Sequence, residues 1–182
     1  QGSGWTTLMR NTLKTASQRD LFCDVSLEAG LHTRTLSASK GGKKNTAVAE
    51  AIIKVRVLVD GKIAYPGAVT FASRRQELST TFEGMIADCL KIDEETGAII
   101  IDESCVEPES VELILDTMSA ASFNFLYPDC KSGEHTVEVQ CQIDSVSSAD
   151  GGAANALATV GKGSFTVQEM RLIQGEDVLS VE

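Results

Sequence analysis

Two histidines, five cysteines and one cluster of acids are the side chains through which this 182-residue chain could do chemistry. His32 and His135 each stand in a Gly-X-His-Thr stretch, Gly30-Leu31-His32-Thr33 and Gly133-Glu134-His135-Thr136. The echo marks them as equivalent turn-to-strand junctions. As a zinc pair they lack a third ligand in the sequence around them, and zinc sites need three or four. A Ser-His-Asp arrangement has no fixed sequence spacing. Neither histidine, however, accompanies a nucleophile elbow, a P-loop, a GxGxxG turn or an HExxH helix. The expectation is a protein that is not an enzyme.

Asp88, Asp93, Glu94 and Asp102, with Glu95 and Glu103 beside them, are the candidates for calcium, a hard cation that takes several oxygen ligands. They lack the D-x-D-x-D-G spacing of a dedicated calcium loop, and Glu94-Glu95-Thr96-Gly97 reads equally as a solvated hairpin tip. No other cofactor is expected. Cys89 and Cys105 bracket this acidic insert beside turns, where a disulfide is sterically reasonable, and closing such a loop would contribute ~3 kcal/mol in the chain-entropy picture. Cys23 and Cys130 form a second candidate pair. Cys141 is left on an apolar strand face, where a thiol packs as a small hydrophobe.

The elements that must position these residues are mostly strands. In Glu134-His135-Thr136-Val137-Glu138-Val139-Gln140-Cys141-Gln142-Ile143 every second residue is apolar, giving one dry and one wet face. With Phe123-Asn124-Phe125-Leu126 and the turn residues Pro128, Asp129, Ser132 and Gly133, this stretch reads as a hairpin. Ile53, Val55, Val57 and Val59 alternate in the same way before the Asp60-Gly61 turn. Residues 21 to 27, 31 to 39, 69 to 82, 98 to 101, 153 to 160 and 164 to 173 add further strands, with a bulge expected near Gln168-Glu169. One helix is expected, from about 108 to 118. Pro108 suits a first turn, and Val111, Ile114, Leu115 and Met118 form an i, i+3, i+4, i+7 stripe. Nine or ten strands at this spacing predict an all-β fold, a two-sheet antiparallel sandwich, jelly-roll-like. It is expected as one domain over residues 19–174, with an extended segment at 1–18 and a tail at 175–182.

Phe123-Asn124-Phe125, Gly133 to Val139 and the closing Gly161-Lys162-Gly163-Ser164-Phe165-Thr166-Val167 resemble the final strands of secreted microbial jelly-roll proteins. The resemblance covers about the last 60 residues. It implies the sandwich and an extracellular setting, and it transfers no site residues.

Composition narrows the partners. A net charge of −10 disfavours phosphate backbones and anionic lipid surfaces, so neither nucleic acid nor membrane is expected as a partner. A start at Gln1 without Met suggests removal of a signal peptide, and five cysteines suit an oxidising compartment. The function expected is that of a secreted structural protein, a homo-polymeric subunit of an extracellular filament, sheath or surface layer. The assembly segment is the Thr-rich stretch around Trp5, Thr7, Met9, Asn11, Leu13 and Thr15, which lie on one side of an extended strand. It would pair with its own body or with a neighbour's sheet edge. The alternative is a carbohydrate-binding module that takes surface glycans, with Trp5 and Tyr127 as the spare aromatics.

Overall fold

Alternation decides the layers. The computed structural model describes residues 4–39, 44–81, 89–93, 95–101 and 109–172. Strand β2 (Arg19–Ser39) buries Leu21, Cys23, Val25, Leu27, Ala29, Leu31, Thr33, Thr35 and Ser37, one residue in two for its whole length. Strand β3 (Lys44–Val59) does the same with Ala47, Ala49, Ala51, Ile53, Val55, Val57 and Val59. In β9 (Gly133–Asp150), His135, Val137, Val139 and Cys141 point inward. A strand with one dry face must lay that face on another sheet. Each fully buried valine contributes roughly 1.5–3 kcal/mol of transfer free energy to that contact.

The result is the expected two-sheet antiparallel sandwich. One sheet runs β1 (Thr6–Thr15), β9, β3, with both β4 (Lys62–Ile63) and β5 (Val69–Thr81) pairing β3. The other runs β10 (Gly152–Met170), β2, β8 (Glu109–Cys130). A separate hairpin, β6 (Leu90–Ile92) with β7 (Ile99–Ile101), leads from β5 towards β8. The Asp60-Gly61 turn joins β3 to β4 with positive φ at both residues, 51° and 78°, as a two-residue hairpin turn requires.

The core changes character along the strands. At one end Leu21, Val25, Phe125, Ile53, Val57 and Val139 fill the space between the sheets. Towards the other end the inward residues become Thr33, Thr35 and Ser37 on β2, against Ala47, Ala49 and Ala51 on β3. Gln76 of β5 is buried among the hydroxyls there. It accepts from Thr33 Oγ1 at 2.8 Å and donates to Thr35 Oγ1 at 2.5 Å and to the Leu113 carbonyl at 2.8 Å. Small residues let the sheets close in, and the polar groups brought inside satisfy one another.

The expected helix at 108–118 is not formed. From Glu109 onward the segment is part of β8, paired with β2 from Ser39↔Glu109 to Arg19↔Cys130; Pro108 lies outside the described residues. Val111, Leu113 and Leu115 alternate as well as Val111, Ile114, Leu115 and Met118 recur helically. The tertiary partner decides between the two periods, because a strand here completes the hydrogen bonding of β2. Other boundaries also merge. Glu28-Ala29-Gly30 lies within β2 and not at a turn, and residues 145–150 continue β9. Gly161-Lys162 is a bulge inside β10, between Val160 and Gly163, whereas no register shift falls at Gln168-Glu169.

Candidate assembly edges

Sheets end in edge strands, and an edge presents unpaired N–H and C=O groups. Among the described residues β1 and β5 end the larger sheet and β10 and β8 end the three-stranded one; β1 pairs only with β9, and β8 pairs with β2 apart from a single bridge between Leu126 and Tyr65. The β1 and β8 edges lie on opposite sides of the sandwich. β1 flanks β9 on the side covered by β10, and β8 lies on the side of β5.

The assembly segment named from sequence is therefore the outer strand of its own sheet. Register with β9 runs from Thr6↔Cys141 to Thr15↔Gly133, with an irregularity between Thr7 and Met9. Met9 and Leu13 rest on the core, and Thr15 is buried, donating to the Lys131 carbonyl at 2.6 Å. Thr7 and Asn11 are exposed. Trp5 is half-buried, and the Arg56 guanidinium lies over its ring, 4.1 Å from the centroid. On the outer face Arg10 ion-pairs with Glu138, and Lys14 stands opposite Glu134. Ala16, Ser17 and Gln18 form the exposed link to β2.

The β8 edge was not legible as an edge, because the sequence there reads as a helix. Its first half carries exposed Val111, Leu113, Ile114, Leu115 and Met118, on both faces of one strand. Its acids Glu112 and Asp116 share the outward face and meet Arg34 and His32 of β2. The signal present in the sequence was the apolar run Val111 to Leu115 punctuated by acids four residues apart.

The remaining candidates stay apart. His32 lies beside Asp116 on the three-stranded sheet, next to a shallow depression lined by Gly30, Met118, Leu157 and Thr159. His135 belongs to the other sheet. Its Nδ1 meets Asp60 Oδ2 at 2.7 Å and its Nε2 meets the Lys131 carbonyl at 2.8 Å. The Asp60 hydrogen bond raises the His135 pKa, and the same bond lowers that of Asp60.

Of the calcium candidates, Asp93 caps its own turn, accepting from the Glu95 N–H and the Thr96 hydroxyl, and these bonds lower its pKa. Asp88, Glu94 and Asp102 lie outside the described residues, and among the described residues no group of three metal-ligating side chains converges. The second disulfide is corrected: Cys23 and Cys130 are free, buried thiols. Register puts Cys23 opposite Phe125 and Cys130 opposite Arg19, so the two are not facing positions on the β2–β8 pair. Burial pushes the Cys23 thiol up to about 12, so it is protonated and inert at neutral pH. Cys141 is free and buried as well. Cys89 is buried and is not among the free thiols; Cys105 lies outside the described residues. Among the described residues no helix is long and apolar enough to cross a membrane.

Compared with known proteins, the chain matches no family model, no curated protein and no solved structure.

Proposed function

We propose that this protein is a structural subunit that assembles with copies of itself into an extracellular filament, sheath or layer. The observation that carries the reading is the first half of β8, which among the described residues has no strand on its outer side and carries Val111, Leu113, Ile114, Leu115 and Met118, all at least 40% exposed. Natural sheets protect long apolar edges; one left uncovered is a template for a further strand. A second edge, β1, lies on the opposite side. Two different edges on opposite sides make a head-to-tail contact, and such a contact grows openly instead of closing into a dimer.

The N-terminal strand can serve a neighbour by leaving its own sheet, since only three exposed residues tether it to β2, or by presenting its outer side while staying in place. Secretion, with Cys89–Cys105 as a stabilising bridge, belongs to the same proposal. The carbohydrate-binding alternative calls for exposed aromatic faces, and the Trp5 ring is already occupied by Arg56.

The test is electron microscopy with sedimentation velocity across a concentration series of the purified chain. Filaments or sheets growing with concentration are the expected result. A monodisperse monomer at every concentration, alongside specific retention on a glycan array, would replace this reading with the alternative.

A further inference from the structure

We infer that β1 of one subunit pairs antiparallel, without leaving its own sheet, with the open half of β8 in the next copy, in the register Arg10↔Asp116 and Lys14↔Glu112. This rests on the self-assembly reading and names the two surfaces that meet.

Charge is the first argument. β1 carries Arg10 and Lys14, four residues apart on its outward face, and already sets them against Glu138 and Glu134 of β9. β8 repeats the same acidic spacing in Glu112 and Asp116, backed by Arg34 and His32 of β2. The side chains of Arg10 and Asp116 are 64% and 73% exposed. Joined in this register, base and acid alternate across three strands: Glu138, Arg10 and Asp116 make one row, and Glu134, Lys14 and Glu112 make the other, with Arg34 ion-paired to Glu112 from a diagonal position on β2. Opposite charges facing across strands favour a register, and like charges oppose it.

Hydrogen-bond direction is the second. In an antiparallel pair successive residues turn their peptide groups alternately to one side and the other. Thr136 donates its N–H to Asp60 Oδ1 and its carbonyl accepts from the Asp60 N–H, so it faces away from β1. Val137 and His135 therefore face β1 and bond Asn11 and Leu13, which leaves Arg10, Thr12 and Lys14 facing outward. The Thr12 N–H is met by the Asn11 side chain, as an outward group would be. On β8, Arg74 Nη1 reaches the carbonyls of both Leu31 and Leu115, at 3.1 and 3.0 Å. One nitrogen can do so only if both carbonyls face the seam between β2 and β8. Glu112, Ile114 and Asp116 then face outward. The outward-facing residues of the two edges are the ones this register sets opposite each other.

Level and direction are the third. Thr15 lies at the same end of the molecule as Arg19 and Cys130, so β1 occupies one half of the sandwich and the open stretch of β8 the other. β1 and β8 run the same way in one subunit, since β2 is antiparallel to β8 and follows β1 through a three-residue turn. A neighbour turned end over end about the filament axis presents its β8 antiparallel to β1. Residues 111–120 then lie at the level of residues 6–15, inner face continuing inner face. Leu13 meets Leu113 on the inner side, and Thr12 meets Ile114 on the outer.

The test is charge complementation in the full chain. R10E/K14E reverses β1 alone, and E112K/D116K reverses β8 alone. Each variant is expected to fold, by circular dichroism and thermal melting, and to form no filaments. An equimolar mixture is expected to restore them, because each variant's β1 then matches the other's β8. A chain carrying N11C/L115C adds a second readout: a ladder of disulfide-linked oligomers joined through peptides around 11 and 115. Filaments from either charge variant alone, a mixture that fails although both variants fold, or cross-linking absent from assembled N11C/L115C would overturn the pairing while leaving self-assembly standing. A wild-type chain that never assembles overturns both.

Discussion

His135 binds the base of the β3–β4 turn to the start of β9, and both its ring nitrogens face acceptors, Asp60 Oδ2 and the Lys131 carbonyl. Only the imidazolium can donate to both at once. The Asp60 bond is the main cause of its raised pKa, with burial opposing it. A group whose pKa is raised on folding contributes stability below its ordinary value, here 6.5, and loses it as pH rises through the folded value. Asp60 behaves oppositely: its pKa is depressed, so its contribution is present above 3.8 and lost as pH falls through the lower folded value. Between about pH 4 and pH 6.5 both contributions are present. His135→Gln is therefore expected to lower the urea midpoint more at pH 5.5 than at pH 9. A gap between wild type and variant that stays constant with pH would show that charge on His135 adds nothing.

At the scale of the strands, β5 is fastened over β2 and β8 by side chains reaching backbone and hydroxyl groups, because the apolar core has tapered away by then. Gln76 is buried and joins Thr33, Thr35 and the Leu113 carbonyl. Replacing it by Leu strands those groups inside, at a cost of about 1–3 kcal/mol. Val139→Ala in the apolar half is expected to cost roughly the same by another route, lost transfer energy and a residual cavity. Chemical denaturation of both variants checks this; an unaltered midpoint for Gln76→Leu would mean that β5 is held by its pairing with β3 alone. The two halves also differ in how far sequence revealed them. The faces of β3 and β9 were legible because Val, Ile and Cys alternate with Lys, Arg, Glu and Gln, and Val55, Val57, Val137 and Val139 are all fully buried. Thr33, Thr35 and Ser37 gave no such contrast, since hydroxyl residues suit either face. Glu109–Ser122 carried two hydrophobic periods at once, and only the neighbouring β2 selects the strand. The assembly segment was read correctly as an extended strand. Its pairing with β9 shows in Arg10 and Lys14 opposite Glu138 and Glu134, a match visible only once the two strands are adjacent.

Among the described residues the two sheets end in four edge strands, β1 and β10 on one side of the sandwich and β5 and β8 on the other, so the β1 and β8 edges face away from each other. That arrangement fixes what the proposed filament must look like. Subunits added edge to edge extend the hydrogen-bonding direction, so the filament axis lies across the strands and not along them. Neighbouring strands are ~4.8 Å apart in that direction, and the two layers of a sandwich are ~10 Å apart. Aligned filaments are expected to diffract at the first spacing along the axis and at the second across it. The net charge of −10 on each subunit opposes close approach, and Arg10 and Lys14 meeting acids offset that repulsion along this edge, so growth should follow it. Assembly by another surface, with strands parallel to the axis, would turn the pattern by a right angle and place the ~4.8 Å reflection on the equator. Fibre diffraction on native filaments at moderate salt separates the two orientations, and an equatorial strand spacing would reject edge-to-edge growth.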